Sequence, residues 1–144
     1  MREIKFRGKR IKNGEWVYGD LRQENSGRKV IMTNLSTWGD NPDDVEPYGD
    51  DITVDPNTVG QYTGLKDKNG KEIYEGDIMF LSDRGSHKEE VIVEHGLYGW
   101  TFYNPKTATF YSDGSHTYYA VENYRFMFGT GVCIGNIHDN PELL

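Results

Sequence analysis

The segment from Tyr62 to Ile78 constrains the fold more than any other part of the chain. It holds two runs of strand-forming residues with Asn69-Gly70 between them, and then Gly76-Asp77 before the apolar run 78–81. Asn-Gly between such runs is the strongest short-range hairpin signal, because a two-residue type I′ turn needs φ > 0 at both central positions. The segment therefore predicts a strand, a type I′ turn, a second strand, a glycine bend and a third strand.

Similar patterns recur along the whole chain. There are 17 glycines and 5 prolines among 144 residues, and no apolar run has helical length. We therefore predict an all-β protein with little helix, built of short antiparallel strands in a barrel-like, SH3-like arrangement. A second hairpin turn is predicted at Asn13-Gly14, and residues 118–128 fit one helical turn near Ala120 followed by a strand. The other predicted strands are 3–7, 16–18, 29–33, 52–54, 58–62, 90–94, 100–103 and 131–137.

The two halves of the chain share short sequence matches. Residues 12–21 resemble residues 68–78, since both contain Lys-Asn-Gly, then a Tyr, then Gly-Asp and an aliphatic residue. Two further matches follow in the same order, which predicts related β units at 1–62 and 63–144 that pack as two units or one domain. The alternative is that unrelated hairpins reuse the same turn residues. Residues 34–51 form an acidic, irregular loop in the first unit, long enough to be functional or mobile.

The first strand carries an unusual concentration of positive charge. Residues 1–12 contain six basic residues and one acid, whereas the whole chain has a net charge of −7. Ile4 and Phe6 alternate with charged residues, which predicts a half-buried edge strand whose charged face meets solvent. The alternative is a phosphate-binding strip with Arg7 and Lys9, although the acidic remainder of the chain opposes nucleic acid at long range.

The sequence holds no recognisable catalytic or metal-binding motif. Its four histidines are not spaced as ligand pairs, and its one cysteine, Cys133, lies in an apolar run, so we expect no metal and no cofactor. One cysteine, no signal peptide and no membrane-length apolar run predict a cytoplasmic protein without a membrane partner. An enzyme with a carboxylate pair stays open through five acidic residues, Glu75, Asp77, Glu89, Glu90 and Glu94.

Aromatic residues are concentrated in the second half, with eleven between Tyr98 and Phe128. A small core needs about half of them, and the rest form either an exposed strip for peptides or single-stranded nucleic acid, or the rim of a tyrosine-rich core. The candidate binding residues combine these aromatics with the basic strand, and they are Arg7, Lys9, Tyr62, Tyr74, Tyr98, Trp100 and Tyr103.

Three blocks, residues 2–8, 59–78 and 134–144, resemble the YopX-like proteins of bacteriophages and prophages. The resemblance implies an all-β, barrel-like protein of a phage or prophage, working in the host bacterial cytoplasm. It implies no established activity and no catalytic or binding residues. We expect a non-enzymatic β-barrel binding module for a host or phage macromolecule, with protein favoured over nucleic acid. The alternatives are a nucleic-acid-binding protein and a carboxylate-based enzyme.

Overall fold

A computed structural model describes residues 3–33, 51–82, 88–97 and 99–144. Within these ranges every paired strand is antiparallel, and one α-helix is present, so the predicted all-β class is confirmed. Short 3₁₀ segments lie at Pro56–Thr58, Val121–Tyr124 and Pro141–Leu143. The strands and the helix are β1 (Phe6–Lys9), β2 (Trp16–Gln23), β3 (Lys29–Met32), β4 (Asp51–Val54), β5 (Gly60–Lys66), β6 (Glu72–Tyr74), β7 (Asp77–Ser82), β8 (Lys88–Gly96), β9 (Gly99–Tyr103), β10 (Tyr119–Ala120), α1 (Arg125–Thr130) and β11 (Val132–Asn136).

The chain divides into two compact units, Met1–Tyr62 and Thr63–Leu144. In the first unit the strand order is β4-β3-β2-β1, followed by the beginning of β5. A bridge between Arg10 and Val54 also brings β4 back to the end of β1, so the sheet curls on itself. Its interior is apolar, since Val30, Ile31 and Val54 are fully buried.

In the second unit the end of β5 lies beside β6, and a sheet of order β10-β9-β8-β7-β11 makes up most of the structure. Alternate residues of β7, β8 and β9 face one core, which β6 and α1 complete. Fully burying each large apolar side chain contributes roughly 1.5–3 kcal/mol, so this core is the main source of the unit's stability. Its buried members are Ile73, Met79, Leu81, Val91, Val93, Phe102, Val121 and Phe128.

The predicted type I′ turn at Asn69-Gly70 is wrong. Gly70 has φ of 81°, but no described residue other than glycine has positive φ. Asp67 explains the difference, because its carboxylate accepts the Asn69 N–H at 2.8 Å and its carbonyl accepts the Gly70 N–H at 3.0 Å. These bonds hold Asn69 in an ordinary conformation and leave only the glycine left-handed. The Asn13-Gly14 loop likewise has one left-handed residue, Gly14, with φ of 73°.

The strand predicted at the end of residues 118–128 is also wrong, because this segment forms a 3₁₀ turn and then α1. Tyr124 and Phe128 are four residues apart, which places them on one helical face. Their ring centroids lie 5.4 and 5.1 Å from that of Phe102, in edge-to-face contacts. The aromatic core of the second unit therefore selects the helical spacing. No helix in the described part of the chain has the length and apolar character needed to cross a bilayer.

The prediction that the first strand is a solvated edge strand is wrong as well. β1 lies between β2 and β5 in the sheet. The predicted faces also fail at two positions, since Arg7 in β1 is 4% exposed and Ile4, which precedes β1, is 63% exposed. The acidic loop, apart from Asp51 in β4, and the candidate residue Tyr98 lie outside the described residues.

Candidate binding surfaces

Basic residues in β1 and just before it lie against aromatic rings of the neighbouring strands, forming a cation–aromatic strip of Lys5, Arg7, Lys9, Trp16 and Tyr62. The Arg7 guanidinium lies 4.5 Å from the centroid of Trp16, and the Lys9 ammonium lies 5.6 Å from it. The Lys5 ammonium lies 5.5 Å from the ring of Tyr62. This spacing follows from register, because Lys9 is directly opposite Trp16 and Arg7 is diagonal to it. The structure thus brings Arg7 and Lys9 together on one ring.

Burial limits what this strip offers to a partner. Arg7 is 4% exposed, so its guanidinium has exchanged water for the face of Trp16, an arrangement that suits a planar and weakly hydrated cation. Lys9 is only partly buried, and its backbone N–H donates to the Thr58 hydroxyl at 2.8 Å. The strip therefore acts mainly as internal packing, with its lysines as the groups nearest solvent.

Two predicted binding tyrosines are interior residues. Tyr62 is 4% exposed and its N–H donates to the Lys5 carbonyl at 2.7 Å, within the pairing of β1 and β5. Tyr74 is 2% exposed, its N–H donates to Asp77 Oδ2 at 2.8 Å, and its hydroxyl lies 3.3 Å from Glu72 Oε1. Both side chains support the fold in this conformation.

Tyr103 lies in a partly buried cluster with Phe110, His116 and Glu94. The ring centroids of Tyr103 and His116 are 3.8 Å apart, and Phe110 meets both rings at 6.3 and 5.6 Å. His116 Nε2 lies 3.1 Å from Glu94 Oε2, and its Nδ1 lies 2.9 Å from the Thr117 carbonyl oxygen. Burial, and then the nearby Glu94 carboxylate, raise the pKa of Tyr103, so its hydroxyl stays neutral. The cluster fixes the chain that follows β9 onto the sheet.

Trp100 occupies the beginning of β9 near the tip of the β8–β9 hairpin. Its side chain is partly buried, and its ring centroid lies 4.7 Å from that of His95. The indole Nε1 is buried and has no hydrogen-bond partner among the described residues. The neighbouring Leu97 is 90% exposed. The described part of the tip thus carries the exposed side chain of Leu97 near an indole packed on histidine.

Residues 109–119, which we call the aromatic hairpin, carry a surface that the residue-level prediction missed. Thr109 and Thr117 bond across its base, where the Thr117 N–H donates to the Thr109 carbonyl at 2.9 Å, and Phe110 pairs with His116. At its tip Asp113 accepts the Ser115 N–H at 2.9 Å. Its four large aromatic side chains are all about half exposed, namely Phe110 at 57%, Tyr111 at 55%, Tyr118 at 51% and Tyr119 at 57%.

A usable signal for this surface is present in the sequence. Two aromatic pairs, Phe110-Tyr111 and Tyr118-Tyr119, flank the polar turn 112–116 almost symmetrically. Neighbouring residues of an extended chain point in opposite directions, so a pair of adjacent aromatics leaves one ring outside any single core. The sequence analysis predicted an excess of aromatic residues in the second half of the chain, but it did not assign the exposed ones to residues 109–119.

Asp67, at the centre of the most distinctive block of the sequence, has a structural role. Its Oδ1 accepts the N–H groups of Asn69 and Lys71 at 2.8 and 2.9 Å, and its Oδ2 accepts the Cys133 N–H at 3.0 Å. Burial opposes ionisation, but these three N–H donors and the nearby Lys71 charge outweigh it and lower the pKa of Asp67. The carboxylate therefore ties the β5–β6 hairpin to β11.

Side chains of the C-terminal segment hold the other end of β11. Asn140 Oδ1 accepts the Asn136 N–H at 3.2 Å, and Asn136 Oδ1 accepts the N–H groups of His138 and Asp139 at 3.0 and 2.9 Å. The Gly135 backbone passes so close to the Asn140 side chain that a Cβ there would clash with it. The last sequence block is thus also explained by local structure.

The acidic residues considered for catalysis are distributed among separate contacts. Asp77 is 1% exposed and bonds to the Tyr74 backbone, Glu94 faces His116, and Glu89 accepts the Asn104 side-chain amide at 3.2 Å. Within the described ranges no group of three or more histidine, cysteine or acidic residues is placed to hold a metal ion. The thiol of Cys133 is partly buried, and its sulfur lies 3.5 Å from the Gly135 carbonyl oxygen.

The fold and these surfaces define an all-β protein of two compact units with an exposed aromatic hairpin. The family model for YopX protein matches residues 5–144, so the chain belongs to the YopX family. Among solved structures, protein EF1440 from Enterococcus faecalis is similar, with 23% identity and a TM-score of 0.50, over 100% of this chain and 99% of that one. This likeness supports the fold alone. No curated protein matches the chain.

Proposed function

We propose that this YopX-family protein is a non-enzymatic binding module that contacts a macromolecule, preferably a protein, through the aromatic hairpin. The proposal includes a barrel-like module that works in the bacterial cytoplasm on a partner of phage or host origin. The family resemblance and the composition of the chain support these features.

The exposure of the aromatic hairpin is the observation that carries the proposal. Aromatic side chains offer 150–250 Å² each for burial, so four of them left half exposed within residues 110–119 keep a large apolar area in water. Monomeric soluble proteins rarely expose contiguous apolar patches larger than a few hundred Å², and larger patches usually mark interaction sites. The hairpin is also anchored, because His116 packs on Tyr103, and a fixed aromatic surface loses little entropy when it binds.

Two other observations weigh against the alternative functions. A nucleic-acid site on the basic first strand would need exposed cations, whereas Arg7 is buried against Trp16. A carboxylate enzyme would need two acids facing a common space, whereas Asp77, Glu89 and Glu94 engage separate partners. The aromatic hairpin has neither difficulty, because its rings are the exposed groups.

The test is a capture experiment with matched variants. The wild-type protein and a Tyr111→Ser/Tyr118→Ser variant are immobilised, exposed to lysate of the bacterium that carries the gene, and the bound protein and nucleic acid are compared. The control is Tyr18→Ser, which removes a tyrosine of similar exposure, 46%, from β2 of the first unit. We expect partners bound by the wild type and the control to be lost from the double variant. Equal capture by all three proteins would refute the proposed surface.

A further inference from the structure

One residue of the aromatic hairpin differs from all the others in its surroundings. Every residue from Thr109 to Tyr119 is exposed except His116, whose side chain is 14% exposed. Its ring centroid lies 3.8 Å from that of Tyr103, and its Nε2 lies 3.1 Å from Glu94 Oε2. His116 is therefore the point at which the hairpin enters the body of the second unit.

The hydrogen bonds of the hairpin stay almost entirely within it. The Thr117 N–H donates to the Thr109 carbonyl at 2.9 Å, and the Thr109 N–H donates to the Thr117 hydroxyl at 2.9 Å. From residues 109–117 only one hydrogen bond or ion pair reaches the sheet in the described part of the chain, and it joins His116 to Glu94. A single side chain thus makes the polar attachment of nine residues.

A hairpin attached in this way has little stability of its own. An isolated two-stranded hairpin is at best marginally stable in water. Segments with few buried contacts and exposed backbone hydrogen bonds open locally at a low free-energy cost. Besides His116, the ring of Phe110 contacts Tyr103 at 6.3 Å between centroids. The order of residues 109–117 therefore depends on these contacts with Tyr103 and Glu94.

The receiving position on the sheet is set by strand register. Glu94 on β8 is opposite Thr101 on β9, and Ile92 is opposite Tyr103. Glu94 and Tyr103 are therefore diagonal neighbours on one face, where one imidazole can meet both. Thr101 and Ile92 are 5% and 4% exposed, so the receiving position belongs to the buried sheet. It does not need the hairpin in order to form.

We propose that His116 is a latch that decides whether the aromatic hairpin exists as an ordered surface. With the imidazole seated on Tyr103 and Glu94, residues 109–117 are ordered. With the imidazole unseated, these residues are disordered while the sheet stays folded. His116 is thus a positioning residue for the exposed rings, and this order–disorder control goes beyond the proposed function and does not depend on the partner.

Residue-resolved amide hydrogen exchange by NMR tests the latch. His116→Ala should speed exchange of the bonded Tyr111 and Thr117 amides by roughly tenfold or more, because the released hairpin melts. Glu94→Gln should speed it by a few-fold, since a neutral acceptor makes the weaker bond. Amides of β7 and β8, and the urea midpoint, should stay as in the wild type. The control is Glu90→Gln, on the same face of β8, which should leave the hairpin amides unchanged.

Two further variants distinguish a latch from general packing. His116→Phe keeps a ring on Tyr103 without the bond to Glu94, so its exchange should lie between that of the wild type and that of His116→Ala. The double variant His116→Ala/Glu94→Gln should exchange no faster than His116→Ala, because the carboxylate acts through the imidazole. Additive effects in the double variant would contradict the latch.

Two other results would overturn the inference. One is equal exchange of the hairpin amides in the wild type and His116→Ala. The other is faster exchange of sheet and hairpin amides together, because His116 would then stabilise the whole unit. The proposed function fails separately, when capture from lysate does not depend on Tyr111 and Tyr118. A latch without capture refutes only the binding surface, and capture without a latch refutes only the order–disorder control.

Discussion

The carboxylate of Asp67 accepts the backbone N–H of Cys133 at 3.0 Å, across 66 positions of sequence. The other carboxylate oxygen holds the N–H groups of Asn69 and Lys71. One side chain therefore shapes a local turn and also ties that turn to β11. Asp67 therefore has a structural role in the second unit.

Replacing Asp67 with asparagine should destabilise the protein. Either orientation of the amide places its NH₂ group against backbone N–H donors, leaving buried donors unsatisfied at a cost of roughly 1–3 kcal/mol. Urea unfolding measures the change in free energy. Asp113→Asn is the matched control, because Asp113 also accepts a local N–H, from Ser115, but lies on an exposed turn. An equal or larger loss in the control would contradict the structural role of Asp67.

The lowered pKa of Asp67 predicts a defined pH dependence. Because the pKa is lower in the folded state than the ordinary value of about 3.9, the carboxylate stabilises the fold fully above about pH 4. This contribution is lost as the pH falls through the lowered native pKa. Unfolding free energies measured from neutral to acidic pH should therefore converge for the wild type and Asp67→Asn as acid is added. A difference that stays constant at low pH would disagree with this assignment.

The contact between Arg7 and Trp16 should appear as a coupling energy. A double-mutant cycle with Arg7→Ala and Trp16→Ala is expected to give about 0.5–2 kcal/mol, the range for a cation on an aromatic face that is partly shielded from water. Lys9→Ala with Trp16→Ala is the matched cycle, since its cation lies 5.6 Å from the same ring instead of 4.5 Å and is more exposed. A larger coupling energy for Lys9 than for Arg7 would contradict the assignment of the face of Trp16 as the main partner of the Arg7 guanidinium.

Gly19 and Gly129 should respond in opposite ways to alanine. A Cβ on Gly19, inside β2, would clash with the carbonyl oxygen of Met32 on β3, and backbone cannot move aside cheaply. We expect Gly19→Ala to cost about 1–3 kcal/mol or more by urea unfolding. Gly129 lies in α1 with open space at its Cβ position, so Gly129→Ala should be neutral or stabilising by up to about 1 kcal/mol. Similar destabilisation at both sites would contradict the β2–β3 packing.

Sequence reasoning predicted the strands because alternation and glycine-rich turns are local signals. It placed Arg7 on the solvent side because an alternating pattern assigns charged residues to the exposed face of a strand. The contact of Arg7 with Trp16 depends on the register between β1 and β2, which a local pattern does not show. It assigned a strand before Phe128 because a run of aromatics fits both periods, and the contact with Phe102 favours the helical one. The His116–Tyr103 anchor joins residues on a loop and a strand, which no local pattern reveals. The duplication of the two halves stays a prediction.

Asp67 and Asn140 also decide how the second unit can join other chains. β11 is the last strand of its sheet, and such a strand usually presents free N–H groups on which a foreign strand can add. Here the Cys133 N–H is bonded to Asp67 and the Asn136 N–H to Asn140, while the Gly131 carbonyl accepts the Lys68 N–H at 3.0 Å. This edge is therefore closed to strand addition and to the aggregation that open edges invite, so recognition on this side of the sheet depends on side chains.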